Sequence, residues 1–230
     1  SGSHGHQTGA MLAKLDDVLL EYQPDWVLVY GDTNSTLAAA VSAVKLHFPI
    51  AHLEAGLRSF NRRMPEEHNR VLTDHAADIL LAPTEVAAQH LANEGLADRT
   101  VVVGDVMTDV LYKEVDQLDD DYSPVADELG FSHGEYSIAT IHRAENTDDP
   151  ERLKAILTSL EEVDHPVIIL AHPRLVAKVK EHGLTLGGGN LHTHPPVPYS
   201  QLLATVRHAR GVITDSGGLQ KEAFLLRTPC

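Results

Sequence analysis

Cysteine is almost missing from this 230-residue chain; the single one, Cys230, is its last residue. A disulfide framework and a cysteine-based zinc site are therefore excluded within it. Basic residues are also few, 18 Lys and Arg against 33 Asp and Glu, which leaves a formal net charge of −15. Nucleic acid and anionic membrane surfaces both call for a basic footprint, so neither is expected as a partner. The longest apolar runs, Ile79 to Pro83 and Val167 to Ala171, are strand-sized and far below the roughly 18 residues of a membrane helix. No basic-then-apolar leader is seen, which predicts a cytoplasmic location. Neither a Walker string nor a Gly-x-Gly-x-x-Gly after a strand is present, so no nicotinamide or flavin cofactor is expected.

What the chain does have is a hydrophobic fraction of 43% and a regular order of short apolar segments. Thr8 is expected to cap a first helix carrying Met11, Leu12, Leu15, Val18 and Leu19 at helical spacing. Strands are predicted at 26–30, 50–53, 79–82 and 100–103, separated by helices near 35–46, 66–77 and 85–93. A stretch from Asp116 to Asp121 with four Asp, followed by Ser123-Pro124, reads as a connector. Strands at 136–141, 167–170, 191–193 and 211–214 then alternate with helices at 150–163, 173–182, 199–207 and 218–225. Continuous apolar strands alternating with helices indicate parallel sheets covered on both faces. The expected fold is thus α/β, with two Rossmann-like doubly wound domains, residues 1–115 and 116–230. The loop-like start and the end at Arg227-Thr228-Pro229-Cys230 suggest a segment with elements missing at both termini.

Ligands of open parallel sheets bind outside the carboxyl ends of the strands. Asp32, Glu54, the pair His142-Arg143 and the run Asp215-Ser216-Gly217-Gly218 all follow predicted strands. If the two domains face each other, these groups meet in a cleft. Ser216-Gly217-Gly218 before a helix suits an anion, since free N–H groups and the positive helix end point at it; a tight turn would use the same residues. Glu222, one helical turn on, is placed to accept hydrogen bonds from ribose hydroxyls or simply to pair with Lys221. Asp32 and Glu54 suit general acid/base work, with helix capping as the competing role for Asp32. Glu66 and Glu67 follow Pro65, where carboxylates favour the helix dipole whatever the chemistry, so only one of them needs a chemical role. His172, His192 and His194 are not joined by a further ligand cluster, and no metal is expected.

Longer strings carry a family resemblance. Val29-Tyr30-Gly31-Asp32-Thr33-Asn34-Ser35-Thr36-Leu37, His52-Leu53-Glu54-Ala55-Gly56-Leu57-Arg58 and Met64-Pro65-Glu66-Glu67-His68-Asn69-Arg70 resemble the non-hydrolysing UDP-N-acetylglucosamine 2-epimerases. His142-Arg143-Ala144-Glu145-Asn146 and Thr214-Asp215-Ser216-Gly217-Gly218-Leu219-Gln220-Lys221-Glu222-Ala223 are similar to the second-domain motifs of that family. The resemblance implies a GT-B-like fold and reversible inversion at C2, interconverting UDP-GlcNAc and UDP-ManNAc through elimination of UDP to a 2-acetamidoglucal and its re-addition. It implies proton transfer by Asp32, Glu54 and Glu66, and a role for His142 in catalysis beside the diphosphate. It further implies a diphosphate seat at Ser216, Gly217 and Gly218, a ribose carboxylate in Glu222, and phosphate or structural roles for Arg58 and Arg143.

The resemblance also implies a UDP-sugar as ligand, a homodimer, and use of the product in envelope polysaccharide or glycan precursors. Against the family pattern, the opening Gly-Thr-Arg-Pro-Glu loop and the last C-terminal strands are expected to be missing. Leu202 stands where many members place an aromatic near the uracil, leaving either aliphatic packing or Tyr199 to take its place. A hydrolysing epimerase, a GT-B glycosyltransferase and an inactive UDP-sugar-binding segment are the alternatives.

Overall fold

A computed structural model describes residues 2–230. The chain divides into two compact units, the first ending at Val106 and the second beginning at Met107. The first contains α1 (His4–Tyr22), β1 (Val27–Tyr30), α2 (Asn34–Lys45), β2 (Ile50–Leu53), α3 (Pro65–Ala76), β3 (Ile79–Ala82), α4 (Glu85–Asn93) and β4 (Thr100–Val102). Helix α5 (Val106–Val115) begins at the division; the sequence-based boundary at 115/116 lies at its opposite end. Helix α1 starts earlier than expected. The Ser3 hydroxyl, not Thr8, accepts from the His6 N–H, while the Thr8 hydroxyl donates back to the His4 carbonyl inside the helix.

Unit 1 forms an all-parallel sheet in the order β1-β2-β3-β4. Its core joins Val29, Ile50 and Leu80 of the strands to Ala40 and Ala43 of α2 and to Ala87 and Leu91 of α4. Small residues let α2 lie close on the sheet. Gly56, just after β2, has φ +81°, and a Cβ there would fall 2.4 Å from the Ala87 carbonyl oxygen. Only glycine allows α4 to approach this closely.

Unit 2 contains α6 (Pro124–Leu129), β5 (Ser137–Thr140), α7 (Ala144–Thr147), α8 (Pro150–Glu161), β6 (Val167–Leu170), α9 (Pro173–Glu181), β7 (Leu191–His194), α10 (Tyr199–Arg207), β8 (Gly211–Thr214) and α11 (Gly217–Leu225). Its parallel sheet runs β7-β6-β5-β8, so the strand order reverses between β5 and β8. The apolar runs are continuous because both faces are covered. Ile138, Ile168 and Leu170 pack with Val206, Leu219 and Ala223, whereas Ala139, Val167 and Ile169 pack with Leu153, Leu157 and Leu175. Alternate strand residues thereby serve opposite layers. Tyr136, wholly buried, donates its hydroxyl to the Thr205 carbonyl at 2.8 Å. The ten-residue α5 and the shorter α6 and α7 are elements that the sequence reading did not include.

Candidate functional site

In unit 1, Asp32 and Glu54 leave the carboxyl ends of the neighbouring strands β1 and β2, which are registered Tyr30 to Leu53. Glu54 sits at φ +67°, a left-handed conformation that costs a non-glycine residue of order 1–3 kcal/mol and gathers at functional sites. Gly31, at φ +61°, makes room for it: a Cβ on Gly31 would lie 3.2 Å from Glu54 Oε2. Asp32 Oδ2 receives Arg70 Nη2 at 2.5 Å, and the Asp32 carbonyl accepts from Asn69 Nδ2 at 2.8 Å.

The two glutamates at the start of α3 are separated by their partners. Glu67 is buried and accepts from the Ser59 N–H at 2.8 Å, the Ser59 hydroxyl at 2.7 Å, the Phe60 N–H at 2.9 Å and Arg70 Nη1 at 3.0 Å. Burial alone would raise its carboxyl, but these donors outweigh burial and hold it at about 2. Glu67 is thus consumed in holding the loop after β2. Glu66 is half-buried in the same turn.

Arg58 takes the structural of its two expected roles. Its side chain is 1% exposed, with Nε and Nη2 on Glu94 and Nη1 on Asp74 at 2.7 Å and on the Leu57 carbonyl. A guanidinium committed to two carboxylates and shut from solvent does not serve as a phosphate ligand.

In unit 2 the strand reversal between β5 and β8 creates the crevice where open sheets bind ligands. Asp215, after β8, draws in the loop after β5. It accepts from the His142 N–H at 3.1 Å, the Arg143 N–H at 2.9 Å and Asn146 Nδ2 at 2.9 Å, and lies 3.1 Å from His142 Nδ1. Burial would raise Asp215, yet the Asn146 amide, the two N–H groups and the His142 ring outweigh it and keep the carboxyl below its usual range. His142 stays 40% exposed. Arg143 has its nearest carboxylate, Glu145, at 3.9 Å and remains half exposed, so it retains donors for a ligand.

A cavity of about 290 Å³ opens at this crevice, lined by Thr140, His142, Leu170, His172, Pro196, Val197, Leu202, Ser216, Gly218, Leu219 and Glu222. Ser216 caps α11 through the Leu219 N–H. Gly217 and Gly218 form the first turn with no positive φ, and a Cβ on Gly217 would meet nothing within 4 Å. Neither strain nor packing demands glycine at 217, which is exposed, and of this turn Ser216 and Gly218 line the cavity. Glu222 is raised by burial in the cavity wall, partly offset by the Tyr199 hydroxyl that donates to it at 3.0 Å. Tyr199 is itself raised, by burial and by Glu222. Leu202 lines the cavity while Tyr199 orients Glu222, so the wall at this point is aliphatic.

The remaining histidines are otherwise engaged. His172 caps α9, accepting from the Arg174 N–H at 3.2 Å. His192 lies edge-on to Phe131, and His194 bonds the Pro195 carbonyl. Among the described residues no group of three or more His, Cys, Asp or Glu is placed to hold a metal ion, and no helix is long and apolar enough to cross a membrane.

Sequence reasoning passed over Asn69, Arg70 and Asp74, although the first two stand inside a quoted motif. The Glu67-to-Arg70 spacing of three on a helix signalled their pairing. The contact of Arg70 with Asp32, 38 residues away, left no local mark.

Taken singly, the units define a class: a parallel α/β protein with a crevice at the strand reversal of one unit and paired strand-end carboxylates in the other. The chain belongs to the UDP-N-acetylglucosamine 2-epimerase family, whose model matches residues 1–230. It is 46% identical to a UDP-N-acetylglucosamine 2-epimerase homolog of Methanococcus maripaludis, covering all of this chain and 65% of that one. It is 48% identical to the UDP-2,3-diacetamido-2,3-dideoxy-D-glucuronate 2-epimerase of Pseudomonas aeruginosa, covering all of this chain and 64% of the relative. The crystal structure of the Methanocaldococcus jannaschii UDP-GlcNAc 2-epimerase in complex with UDP-GlcNAc and UDP matches the whole chain and 66% of its own, with TM-score 0.88 and 41% identity. The fold class is GT-B-like α/β, and the chain spans about 65% of the length of such relatives.

Proposed function

We propose that this chain carries the nucleotide seat and the proton-transfer carboxylates of an enzyme that inverts C2 of UDP-GlcNAc to give UDP-ManNAc. The observation that carries this reading is the placement of Asp32 and Glu54 at adjacent strand ends, with Gly31 leaving room for the Glu54 carboxylate. A carboxylate removes the C2 proton while the C1–O bond to UDP breaks, the electron pair leaving with the diphosphate and a C1–C2 double bond forming. UDP then adds back at C1, and C2 takes a proton on its other face. Asp32, Glu54 and Glu66 supply the proton acceptors and donors. The N–H groups at Ser216, Gly217 and Gly218, with His142 and Arg143, hold the diphosphate and its developing charge. Glu222 accepts from the ribose hydroxyls, and Leu202 packs on the base.

A second substrate fits the same chemistry: the relative from Pseudomonas aeruginosa that shares 48% identity is named for a 2,3-diacetamido uronate sugar. Cytoplasmic location, homodimer formation and a product destined for polysaccharide precursors belong to the same reading. The test is proton NMR of UDP-GlcNAc, and in parallel the UDP-2,3-diacetamido uronate, incubated with the full-length protein in D2O. Deuterium at C2 together with the C2 epimer of the nucleotide sugar is the expected result. Free ManNAc would assign the hydrolysing reaction instead, and binding with no exchange on either substrate would defeat the catalytic reading. Light scattering after size exclusion checks the dimer.

A further inference from the structure

We propose that Arg70 is a positioning residue that clamps Asp32 for proton transfer, an assignment that rests on the epimerase reading above. Helix α3 approaches Asp32 with two consecutive residues. Asn69 donates to its main-chain carbonyl at 2.8 Å, and Arg70 Nη2 reaches its carboxylate at 2.5 Å. The other Nη of the same guanidinium lies 3.0 Å from Glu67 Oε2. Glu67 is itself fixed by Ser59 and Phe60 and stays ionised down to about pH 2. The guanidinium is therefore held between one immobile carboxylate and one working carboxylate.

The rest of Arg70 fits this role better than direct substrate binding. Its side chain is 17% exposed, and Nε is buried with no hydrogen-bond partner. Both Nη groups already face carboxylates, so no edge of the fork is left for bidentate recognition of a phosphate. Asp32 by contrast keeps 30% of its side-chain surface open, as a group that meets substrate must. Arginine is required because a planar fork reaches both carboxylates at once, whereas a lysine ammonium satisfies one of them with its full charge. Holding an acid/base group this firmly matters, since a misplacement of about 1 Å costs on the order of 10²-fold in rate.

The experiment is a cycle in the full-length protein with Arg70→Met, Asp32→Asn and the double variant, and with Arg70→Lys as the form most sure to fold. C2 deuterium incorporation gives kcat and KM. Arg70→Met should lower kcat by about 100-fold with KM changed less than about threefold, and Arg70→Lys should recover only part of the loss. In the Asp32→Asn background, the same Arg70 change should cost less than about threefold, because its target is gone. Equal losses in both backgrounds, or a loss confined to KM, would overturn the proposal. Nitrogen-15 NMR of the Arg70 side chain tests the clamp apart from turnover. Slow rotation of its Nη groups, released by Asp32→Asn, is expected, and free rotation in the wild type would overturn the clamp. A wild-type protein with a locked Arg70 but no C2 exchange would defeat the epimerase reading while the clamp stood.

Discussion

His52 Nδ1 lies 2.6 Å from Asp74 Oδ1, and both side chains are completely shut from solvent. The other ring nitrogen donates to the Gly31 carbonyl at 2.8 Å, directly before Asp32. Asp74 also takes Arg58 at 2.7 Å and the Gly56 N–H at 3.1 Å, so one buried carboxylate ties the turns after β1 and β2 to helix α3. Removing one partner of such a pair strands the others. Asp74→Ala should lower stability by about 3–5 kcal/mol, read as a fall in the urea midpoint. A loss under about 1 kcal/mol would mean that the network is not holding these turns.

Glu67 gives stability a defined acid dependence. Its folded carboxyl, at about 2, lies below its ordinary value of 4.5. Stability from this group is therefore fully present above about pH 4.5 and is lost as pH falls toward 2. The span corresponds to roughly 3 kcal/mol. The advantage of wild type over Glu67→Gln in urea unfolding should be largest above pH 5 and shrink steadily below pH 4.5. A gap that stays constant with pH would refute the assignment.

Binding of UDP should follow Glu222 in the opposite part of the scale. Burial raises this carboxyl above its usual range, and Tyr199 donates to its charged form. In the proposed ribose role an ionised Glu222 would accept from the hydroxyls and a protonated one less well, so affinity should rise with pH through the raised value. Tyr199→Phe removes a donor to the carboxylate and should move that rise to higher pH. Calorimetric titrations with UDP between pH 4.5 and 8 measure it, and coincident profiles for the two proteins would count against the role.

At the turn before α11, stability and ligand binding should separate. The space around a Cβ on Gly217 is open, and alanine is the better helix former by about 1 kcal/mol. Gly217→Ala should leave the melting temperature unchanged or raise it, while the proposed diphosphate seat at Ser216, Gly217 and Gly218 requires that it weaken UDP binding about tenfold or more. Unimpaired affinity would show that the diphosphate is held elsewhere.

The order of apolar strands was legible: in unit 2 a strand buried on both faces is apolar at every position, as Val167 to Leu170 are, whereas in unit 1 the apolar β1 and β4 leave Leu28, Val101 and Val102 exposed, so the expected cover on both faces does not extend to them. Helices α6 and α7 were not legible, since a turn or two of helix offers too few periods to stand out, and the ten-residue α5 was passed over as well. The strand-end positions of Asp32, Glu54, His142 and Ser216 were also readable, because a parallel sheet places successive strand ends on one edge. Local chemistry stopped there.

Adjacent in sequence and alike in composition, Glu66 and Glu67 were separated in the sequence only by the family resemblance, and the physical difference came when the Ser59–Phe60 loop claimed Glu67. Arg58 was as fit for a phosphate as for a carboxylate until Asp74 and Glu94 closed over it. Arg70 meets Asp32 from 38 positions away, and Leu202 rather than Tyr199 lines the cavity only because α10 turns the tyrosine toward Glu222. The sequence by itself determined the elements, their parallel order and the residue types at the strand ends, since these follow from periodicity and short-range geometry. Which of those charged groups would be spent on one another, and which left open for a ligand, was decided by tertiary structure alone, because ion pairing depends on distances that only the folded chain sets.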